Sequence, residues 1–219
     1  MSANLRFPRG LYGITPEWDD TDRLICAVEA AASGGMAALQ WRRKTAALAS
    51  RRPQAQALAA RCKELGIVFI VNDDWRMAAA VDADGVHLGR EDGLLSEARQ
   101  ALGPDKIIGC SCYNDLSLAR QALADGADYI AFGALHPSKI KPDAVRATLE
   151  HIQQAHRLAE QATTPAAASR AAIVAIGGIT PQNAAPIIQA GADSIALISA
   201  LFERPDIQAA AAQCQALFV

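Results

Sequence analysis

Residues 107–132, IIGCSCYNDLSLARQALADGADYIAF, contain one complete strand–helix–strand unit. The apolar run at 107–111 predicts a strand, and the stretch rich in Ala and Leu at 116–124 predicts a helix. A second apolar run at 128–132 predicts the next strand. Two parallel strands joined by a crossover helix are the repeating unit of α/β folds, so this segment indicates an α/β protein.

The same alternation continues on both sides of this unit and covers the chain. Short runs rich in β-branched residues predict eight strands, at 11–15, 36–41, 67–71, 85–88, 107–111, 128–132, 173–176 and 194–198. Longer runs rich in Ala and Leu predict eight helices, at 20–33, 46–65, 75–80, 94–102, 116–124, 144–161, 181–190 and 207–217. We expect Thr180 to be the N-cap of the seventh helix.

Eight strand–helix pairs in alternation predict a closed barrel rather than an open sheet. We therefore expect a single (β/α)8 TIM barrel domain over residues 1–219, in which residues 1–8 form a loose N-terminal tail. An open, Rossmann-like sheet is the alternative. It is disfavoured because no G-x-G-x-x-G motif follows the first strand.

Composition and charge exclude several classes of protein. Apolar residues make up 51% of the chain, and the formal net charge is −2 with both signs interspersed, so we expect neither a nucleic-acid nor a membrane partner. No apolar run approaches the roughly 20 residues that a membrane-spanning helix needs. The five cysteines are odd in number and lack metal-ligand spacing, which predicts reduced thiols in a cytoplasmic protein. The sequence leaves a homo-oligomer open.

A related turn motif precedes three of the predicted strands. It reads DGAD at 125–128 before strand six, AGAD at 190–193 before strand eight and VDAD at 81–84 before strand four. These tight turns belong at the N-terminal face of the barrel, so we interpret them as structural. Chemistry is expected at the opposite rim, beyond the C-terminal ends of the strands.

Strand two runs into a basic segment, QWRRK at 40–44. Alternation places Gln40, Arg42 and Lys44 on one side of the strand. Arginine offers a phosphate a planar, bidentate fork and lysine a compact charge, so these residues form a candidate phosphate or pyrophosphate site. A solvated basic strand end is an equally good interpretation of this segment alone.

Acidic residues follow the next two strands. Strand three ends in NDD at 72–74, and GRED at 89–92 follows strand four. Mg²⁺ commonly binds one or two carboxylates and completes its shell with water and phosphate oxygens, so Asp73 and Asp92 are candidate Mg²⁺ ligands. Helix capping is the alternative, but capping alone does not explain why acids and bases gather on neighbouring strand ends.

Three further segments at the same rim could bind anions. Ser111 ends strand five with a hydroxyl, and the loop after strand six, HPSKIKP at 136–142, carries two lysines. Glycines at 177–178 follow strand seven, where backbone N–H groups can approach a phosphate closely. Phosphate sites in barrels are often built there and after strand eight. We interpret His87 and Trp75 as packing residues.

These segments describe two anion sites, one that combines cations with carboxylates and one that is rich in glycine. Neither a nucleophile nor a His–Asp pair accompanies them. The combination favours group transfer between two phosphorylated substrates, with pyrophosphate as the leaving group.

The chain carries, in this order, the motifs L-Y-G-I-T-P, Q-W-R-R-K, N-D-D, G-V-H-L-G-R-E-D, I-G-C-S, F-G-A, A-I-G-G-I-T-P and A-L-I-S-A. In that order they resemble the thiamine phosphate synthase family, and the resemblance runs from about Leu11 to Phe202. The Q-x-R-x-K, N-D and H-L-G-x-E-D set is fairly specific. The I-G-G-I-T-P segment is shared more widely among phosphate-binding barrels.

The resemblance implies a Mg²⁺-dependent transferase that joins hydroxymethylpyrimidine diphosphate to a thiazole phosphate, giving thiamine monophosphate and pyrophosphate. In the family the C–O bond breaks first, and the thiazole nitrogen traps a pyrimidine-methyl cation. By position, the resemblance implies that Asp73 and Asp92 hold Mg²⁺. The catalytic residues it implies are Arg42, Lys44, Ser111 and Lys141.

The resemblance also implies a set of substrate contacts. For the pyrimidine diphosphate these are Gln40, Arg42, Lys44, Asn72, Ser111 and Lys141. For the phosphate of the thiazole they are Ser138, Gly178, Ile198 and Ser199. Trp41, Arg43, Lys139 and Ile140, which lie within the same two segments, are also expected to contact substrate.

The sequence departs from the family in the loop after strand six. The family usually has Thr-x-Thr-Lys there, whereas this chain has Ser138-Lys139-Ile140-Lys141. One hydroxyl is lost, so we expect weaker binding of the thiazole phosphate. Two alternatives stay open. One is a thiazole tautomerase-like enzyme, a type that tends to lack the metal-binding acids, and the other is a non-catalytic paralogue that binds phosphorylated ligands.

Overall fold

The structure is a computed structural model that describes residues 4–44, 48–137, 145–162 and 169–218. Its strands are β1 (Gly10–Ile14), β2 (Met36–Trp41), β3 (Val68–Asn72), β4 (Gly85–Leu88), β5 (Ile107–Tyr113), β6 (Tyr129–Phe132), β7 (Ala172–Ile176) and β8 (Ser194–Leu197). They pair in chain order, all parallel, and β8 pairs with β1 to close the barrel. The predicted (β/α)8 barrel is confirmed, and the open sheet is excluded.

Helices lie between successive strands and cover the outside of the barrel. They are α1 (Thr21–Ser33), α2 (Leu48–Leu65), α3 (Trp75–Ala80), α4 (Leu95–Leu102), α5 (Leu116–Ala124), α6 (Leu149–Ala162), α7 (Ala185–Gln189), α8 (Ser199–Phe202) and α9 (Ile207–Gln215). A 3₁₀ turn at Ala216–Phe218 follows the last of them. None of the helices in the described ranges is long and apolar enough to cross a membrane.

Aspartates start four of these helices. The side chains of Asp20, Asp74, Asp115 and Asp206 each accept a backbone N–H from the first turn. This bond satisfies a donor that has no partner within the helix, and the negative charge suits the positive end of the helix dipole. The local sequence thereby fixes where α1, α3, α5 and α9 begin.

The seventh helix is shorter than the sequence predicts. The expected helix covers 181–190 with Thr180 as its N-cap, but α7 begins only at Ala185. The side-chain oxygen of Asn183 accepts the N–H of Thr180 at 2.8 Å, and its amide donates to the carbonyl of Gly178 at 3.0 Å. These side-chain bonds hold the stretch in a turn and compete with helix formation.

Two other boundaries differ from the predictions. Strand β8 ends one residue early because Ile198 becomes the N-cap of the short helix α8, which the sequence patterns did not predict. Helix α6 begins at Leu149, and residues 145–148 precede it without helical structure. A short extra helix after strand eight is a common place for a phosphate in barrel enzymes.

Two apolar clusters fill the molecule, and alternation along the strands divides residues between them. The outer cluster lies between the sheet and the helices and includes Leu39 of β2 and Val71 of β3. The inner cluster fills the barrel with Phe7, Tyr12, Ile14, Ala38, Ile70, Ile107, Tyr129, Ala131, Ala172, Val174 and Ala196.

The residue directly before β4, β6 and β8 is in each case an aspartate, supplied by the repeated turn motif. Its carboxylate accepts a backbone N–H of the preceding strand at 2.8 Å: Asp84 from Phe69, Asp128 from Ile108 and Asp193 from Ile173. The three carboxylates therefore tie neighbouring strands together at the N-terminal face. The structural interpretation of this motif agrees with the geometry.

The N-terminal segment is packed where the structure describes it, so the prediction of a loose tail over residues 1–8 is wrong from Asn4 onward. Phe7 is completely buried in the inner cluster, and the guanidinium of Arg6 lies 2.8 Å from the carboxylate of Asp128. A large apolar side chain in the tail is the physical reason, because the barrel interior gives it a place away from water.

Candidate active site

The end of β2 sends alternate side chains to opposite sides of the sheet. Gln40 is 3% exposed and points into the barrel, where its Nε2 donates to Tyr12 Oη at 2.8 Å. Trp41 belongs to the outer cluster, and its Nε1 donates to Gln54 Oε1 at 3.0 Å. The structure therefore shows the alternation that the sequence predicts, with Gln40 and Trp41 on opposite sides of the sheet.

Trp41 and Arg43 lie on the side of the sheet that the helices cover. The Arg43 side chain is buried and forms an ion pair with Asp19. Both residues line a cavity of about 250 Å³ together with Lys44 and Asp73. The expectation that Trp41 and Arg43 contact substrate stays a prediction from the sequence.

Lys44, Asp73 and Asp92 form a cluster at the rim, which we call the charged cluster. Lys44 Nζ lies 3.0 Å from Asp73 Oδ2. The carboxyl groups of Asp73 and Asp92 are within hydrogen-bonding reach of each other. Burial raises the pKa of Asp92, and the neighbouring Asp73 carboxyl raises it further. The ends of β2, β3 and β4 therefore bring one cation and two carboxylates together.

Backbone contacts hold the two carboxylates in place. Asp73 adopts a left-handed conformation, with φ of 68°, and its N–H donates to the carbonyl of His87 at 2.8 Å. Aspartate tolerates this region better than most residues other than glycine. Asp92 Oδ2 accepts the N–H of Gly89 at 2.7 Å. Each carboxylate is thus fixed by a main-chain bond close to β4.

Glu17, which follows β1, organises the basic strand end. Its Oε1 lies 3.1 Å from Arg42 Nη1 and accepts the backbone N–H of Lys44 at 3.0 Å. The hydroxyl of Thr15 accepts the N–H of Arg42 at 2.9 Å. These bonds hold Arg42 and Lys44 at the rim before any ligand is bound.

Inside the barrel, five polar side chains form one chain of hydrogen bonds, which we call the interior chain. Gln40 Nε2 donates to Tyr12 Oη at 2.8 Å, and Tyr12 Oη lies 3.0 Å from Tyr129 Oη. Tyr129 Oη lies 3.0 Å from His87 Nδ1, and His87 Nε2 lies 2.8 Å from Ser111 Oγ. Two predicted substrate contacts, Gln40 and Ser111, are the ends of this chain.

The aromatic rings of the interior chain are closely packed. Burial raises the pKa of Tyr12 and of Tyr129 far above the usual range, so both hydroxyls keep their protons. A Cβ at Gly109 of β5 would lie 1.9 Å from the Tyr129 ring. Only glycine leaves room for that ring, and the Phe7 ring packs beneath it with a centroid distance of 4.2 Å.

The glycines after β7 adopt conformations that other residues rarely reach. Gly177 and Gly178 have φ values of 98° and 64°. A Cβ on Gly178 would lie 2.5 Å from the carbonyl of Pro137, so the loop after β6 approaches this turn closely. Nearby, Ile198 and Ser199 start α8. Gly178, Ile198 and Ser199 therefore lie at the ends of the adjacent strands β7 and β8.

Four predicted substrate contacts, Ser138, Lys139, Ile140 and Lys141, lie outside the described residues. Their roles stay predictions from the sequence. Asn72 ends β3 next to Asp73 and is half-buried.

The carboxylates of Asp73 and Asp92 are of the kind that Mg²⁺ binds in proteins. Among the residues that the structure describes, no group of three or more His, Cys, Asp or Glu side chains is placed to hold a metal ion. Mg²⁺ needs only one or two protein carboxylates when substrate phosphates and water supply the other oxygens. Burial raises the pKa of Asp92, and the neighbouring Asp73 carboxyl raises it further, so a cation beside the two groups would favour their ionised forms.

Comparison with known proteins identifies the family. A model of the family described as thiamine monophosphate synthase matches residues 11–201. The thiamine-phosphate synthase of Bordetella pertussis is 58% identical over 214 residues, covering 98% of this chain and 97% of that protein. The chain belongs to the thiamine monophosphate synthase family. The thiamine-phosphate synthase of Thiobacillus denitrificans is 51% identical over 212 residues, and this match covers 97% of this chain and 96% of that protein.

A solved structure agrees with membership in the thiamine monophosphate synthase family. The thiamine phosphate pyrophosphorylase from Pyrococcus furiosus matches with a TM-score of 0.81 at 33% identity, covering 98% of each chain. As a member of this family, the chain is an enzyme of the transferase class with a place in thiamine biosynthesis.

Four side chains that organise this thiamine monophosphate synthase site were missed by the sequence patterns: Tyr12, Glu17, His87 and Tyr129. Tyr12 and Tyr129 sit in strands that read as ordinary apolar runs, and His87 was interpreted as packing. Glu17 follows strand one at the same rim as the other acids. No sequence pattern indicates the buried three, because alternation shows which residues of one strand share a side but not how different strands pair across the barrel.

Proposed function

We propose that this chain joins hydroxymethylpyrimidine diphosphate to a thiazole phosphate, forming thiamine monophosphate and releasing pyrophosphate, with Mg²⁺ as cofactor. Family membership supports the reaction, and the charged cluster of Lys44, Asp73 and Asp92 is the observation that carries the assignment of this site to it. A leaving pyrophosphate needs cations, and a magnesium–pyrophosphate needs carboxylates beside them.

The reaction needs stabilisation of charge more than it needs a nucleophilic residue. The bond between the pyrimidine methylene carbon and the diphosphate oxygen breaks, and its electron pair leaves with the pyrophosphate. The lone pair of the thiazole nitrogen then forms the new carbon–nitrogen bond. Arg42 and Lys44 would hold the pyrophosphate as its charge develops, because fixed cations cost no reorganisation at that moment.

Asp73 and Asp92 would hold Mg²⁺ beside these cations. When bound there, Mg²⁺ supplies positive charge to the phosphate oxygens of the leaving group. Glu17 keeps Arg42 and the backbone of Lys44 at the rim. Gln40, Asn72 and Ser111 would complete the contacts to the pyrimidine diphosphate, together with Lys141.

The phosphate of the thiazole substrate would bind at the glycine-rich site. Gly178, Ile198 and Ser199 lie at the ends of β7 and β8, where a backbone turn and the start of α8 meet. Backbone N–H groups in such turns suit a phosphate. Ser138, Lys139 and Ile140 would close this site from the loop after β6, with one hydroxyl fewer than the family pattern.

A turnover assay with both substrates tests the proposal directly. Purified protein is incubated with the pyrimidine diphosphate, the thiazole phosphate and Mg²⁺, and thiamine monophosphate and pyrophosphate are measured. We expect the two products in equal amounts. Conversion between thiazole phosphate tautomers without pyrophosphate release would instead indicate a tautomerase. Binding of both ligands without any conversion would indicate a non-catalytic paralogue.

A further inference from the structure

The interior chain links the two ends of the proposed pyrimidine site through the centre of the barrel. Its four hydrogen bonds have lengths of 2.8 to 3.0 Å and join Gln40, Tyr12, Tyr129, His87 and Ser111 in that order. His87 and the two tyrosines are buried and have no place in the proposed mechanism. A buried polar chain of this length restricts the donor and acceptor role of every member.

The Gln40 end allows one continuous direction of hydrogen bonds. The Nε2 of Gln40 can only donate, so Tyr12 Oη accepts from it, and in this direction Tyr12 gives its own proton to Tyr129 Oη. Tyr129 then gives its own proton to His87 Nδ1. A neutral histidine that accepts at Nδ1 carries its proton on Nε2, and it donates that proton to Ser111 Oγ.

This order leaves the proton of the Ser111 hydroxyl for the ligand. Oxygens of a pyrophosphate only accept hydrogen bonds, so a serine beside them contributes only as a donor. In the reverse order, Ser111 would donate to His87 and turn its lone pairs toward an anion. The order that starts with Gln40 Nε2 is the one that suits a phosphorylated ligand.

We propose that His87 is a positioning residue, held in the Nε2–H tautomer by Tyr129 and Tyr12, that makes Ser111 a hydrogen-bond donor to the leaving pyrophosphate. The identity of the ligand rests on the proposed function. The order of the hydrogen bonds is part of the same proposal, and the tautomer of His87 tests it without any ligand.

Close packing keeps the members of the interior chain within reach of one another. The His87 and Tyr129 rings stack with a centroid distance of 5.5 Å, and the missing Cβ of Gly109 admits the Tyr129 ring. Phe7 covers both tyrosine rings, with centroid distances of 4.9 Å and 4.2 Å. Rings confined in this way cannot swing away to find other partners.

The tautomer of His87 is directly measurable. Protein with isotope-labelled histidine is studied by nitrogen–proton correlation spectroscopy, and the absence of one signal in His87→Gln assigns His87 among the four histidines. We expect the Nε2–H tautomer in the wild type and a mixture of tautomers in Tyr129→Phe, which has lost the donor to Nδ1. Tyr113→Phe removes the one tyrosine hydroxyl that is not part of the interior chain, and it should leave the tautomer of His87 unchanged.

The opposite tautomer, Nδ1–H, in the wild type would overturn the proposal, as would an unchanged tautomer in Tyr129→Phe. Should Tyr129→Phe not fold, Tyr12→Phe is the second variant. It removes a hydroxyl of the interior chain that lies one hydrogen bond further from His87. It should weaken the preference for Nε2–H, and a full retention of that preference would contradict the proposal.

Kinetics of two matched variants test the consequence for Ser111. Glutamine places an amide nitrogen close to the position of His87 Nε2 and can still donate to Ser111, whereas asparagine reaches only the position of Nδ1. We expect His87→Asn to lower kcat by about 10- to 100-fold, the loss typical of one hydrogen bond to a charged group, with the KM for thiazole phosphate unchanged.

His87→Gln should recover most of that loss, whereas a residue with a purely structural role would not distinguish the two amides. Equal losses in both variants would overturn the positioning role. If the wild type itself shows no turnover, the proposed function fails, and the spectroscopic experiment still decides the order of the hydrogen bonds.

Discussion

At the scale of single residues, the charged cluster holds one ammonium group against two carboxylates. Burial and the neighbouring Asp73 both raise the pKa of Asp92. Ionisation of both carboxyl groups is therefore unfavourable unless positive charge lies close to them. Lys44 supplies part of this positive charge, since its Nζ lies 3.0 Å from Asp73 Oδ2. A divalent cation together with the phosphates of a substrate would complete the balance, which is why we propose these two residues as metal ligands.

The first prediction follows from this charge balance. Asp92→Ala should lower kcat by about 100-fold or more, the scale of losing one preorganised electrostatic contact. Chelation of the metal by EDTA should abolish turnover, and added Mg²⁺ should restore it. The measurement is steady-state kinetics at fixed substrate and varied Mg²⁺. Full activity of Asp92→Ala at low Mg²⁺ would contradict the metal assignment.

The neighbouring acids differ in their value as controls. Glu91 is exposed, so Glu91→Ala should retain activity. Asp74 is the N-cap of α3, where its carboxylate accepts the N–H of Met77 at 2.9 Å. Asp74→Ala would therefore lower stability as well as charge. Asp74→Ser keeps a capping oxygen and is the cleaner substitution.

The second prediction concerns the basic strand end. Arg42→Ala and Lys44→Ala should each weaken binding of the pyrimidine diphosphate by about 10- to 100-fold, the loss of one charge-assisted hydrogen bond. Binding of the thiazole phosphate should change little. Calorimetric titration of each ligand measures both effects. Equal losses for the two ligands would mean that these cations do not separate the two subsites.

Glu17 offers an independent check on the same residues. It contacts Arg42 and the backbone of Lys44 but is not proposed to contact substrate. Glu17→Gln keeps the shape and removes the charge that holds Arg42. It should shift binding of the pyrimidine diphosphate in the same direction as Arg42→Ala, and by less.

At the scale of secondary-structure elements, the N-terminal ends of the strands are tied by buried ion pairs. Arg170 donates to both carboxylate oxygens of Asp193 at 2.7 Å, and Asp193 also accepts the N–H of Ile173. The exposed fractions of the Arg170 and Asp193 side chains are 7% and 10%. Removing one partner leaves the other charge buried without compensation, which is costly.

The third prediction is a stability change at this pair. Asp193→Ala should lower the free energy of unfolding by about 3–5 kcal/mol. Urea unfolding measures it, with an unchanged m-value as evidence that the same surface is exposed. Asp82→Asn is the matched control, since Asp82 also pairs with a cation, Lys106, but its side chain is 82% exposed, and asparagine tolerates the left-handed backbone at this position, where φ is 51°. That variant should lose little stability because solvent screens the pair.

Most of the elements followed from hydrophobic periodicity, and the exceptions share a cause. The start of α7 moved because the Asn183 side chain makes bonds with Thr180 and Gly178 that periodicity does not register. Helix α8 is only four residues long, Ser199–Phe202, too short for a helical pattern to appear. Local side-chain bonds and short elements are therefore what the sequence left undetermined.

At the scale of the whole molecule, the rim residues were predictable because a barrel places every strand end on one edge. Asp73 and Asp92 are 19 positions apart in the sequence, yet they are neighbours in the structure because β3 and β4 are adjacent parallel strands. The interior chain was not predictable in this way. It joins Tyr12 to Tyr129 across the lumen, between strands that are not adjacent.

The cysteines provide a test of how completely the barrel and its helices are closed, and this is the fourth prediction. All five thiols are free, and Cys26 alone is exposed. Burial raises the pKa of Cys62 and Cys110 to about 12 and that of Cys214 to about 11, and it raises the pKa of Cys112 further. The thiolate is the reactive form, so at pH about 8 these four should react slowly for lack of thiolate. For Cys62, Cys112 and Cys214, which are buried, lack of access adds to this effect.

Titration of the native protein with a coloured thiol reagent should therefore show one fast thiol, and unfolding in urea should release all five. Cys26→Ser should remove the fast phase. The slow phase should follow the rate at which the native structure opens, so Asp193→Ala should accelerate it. Fast reaction of Cys62, Cys112 or Cys214 in the native wild type would contradict the closed packing, because all three thiols are completely buried in the outer cluster.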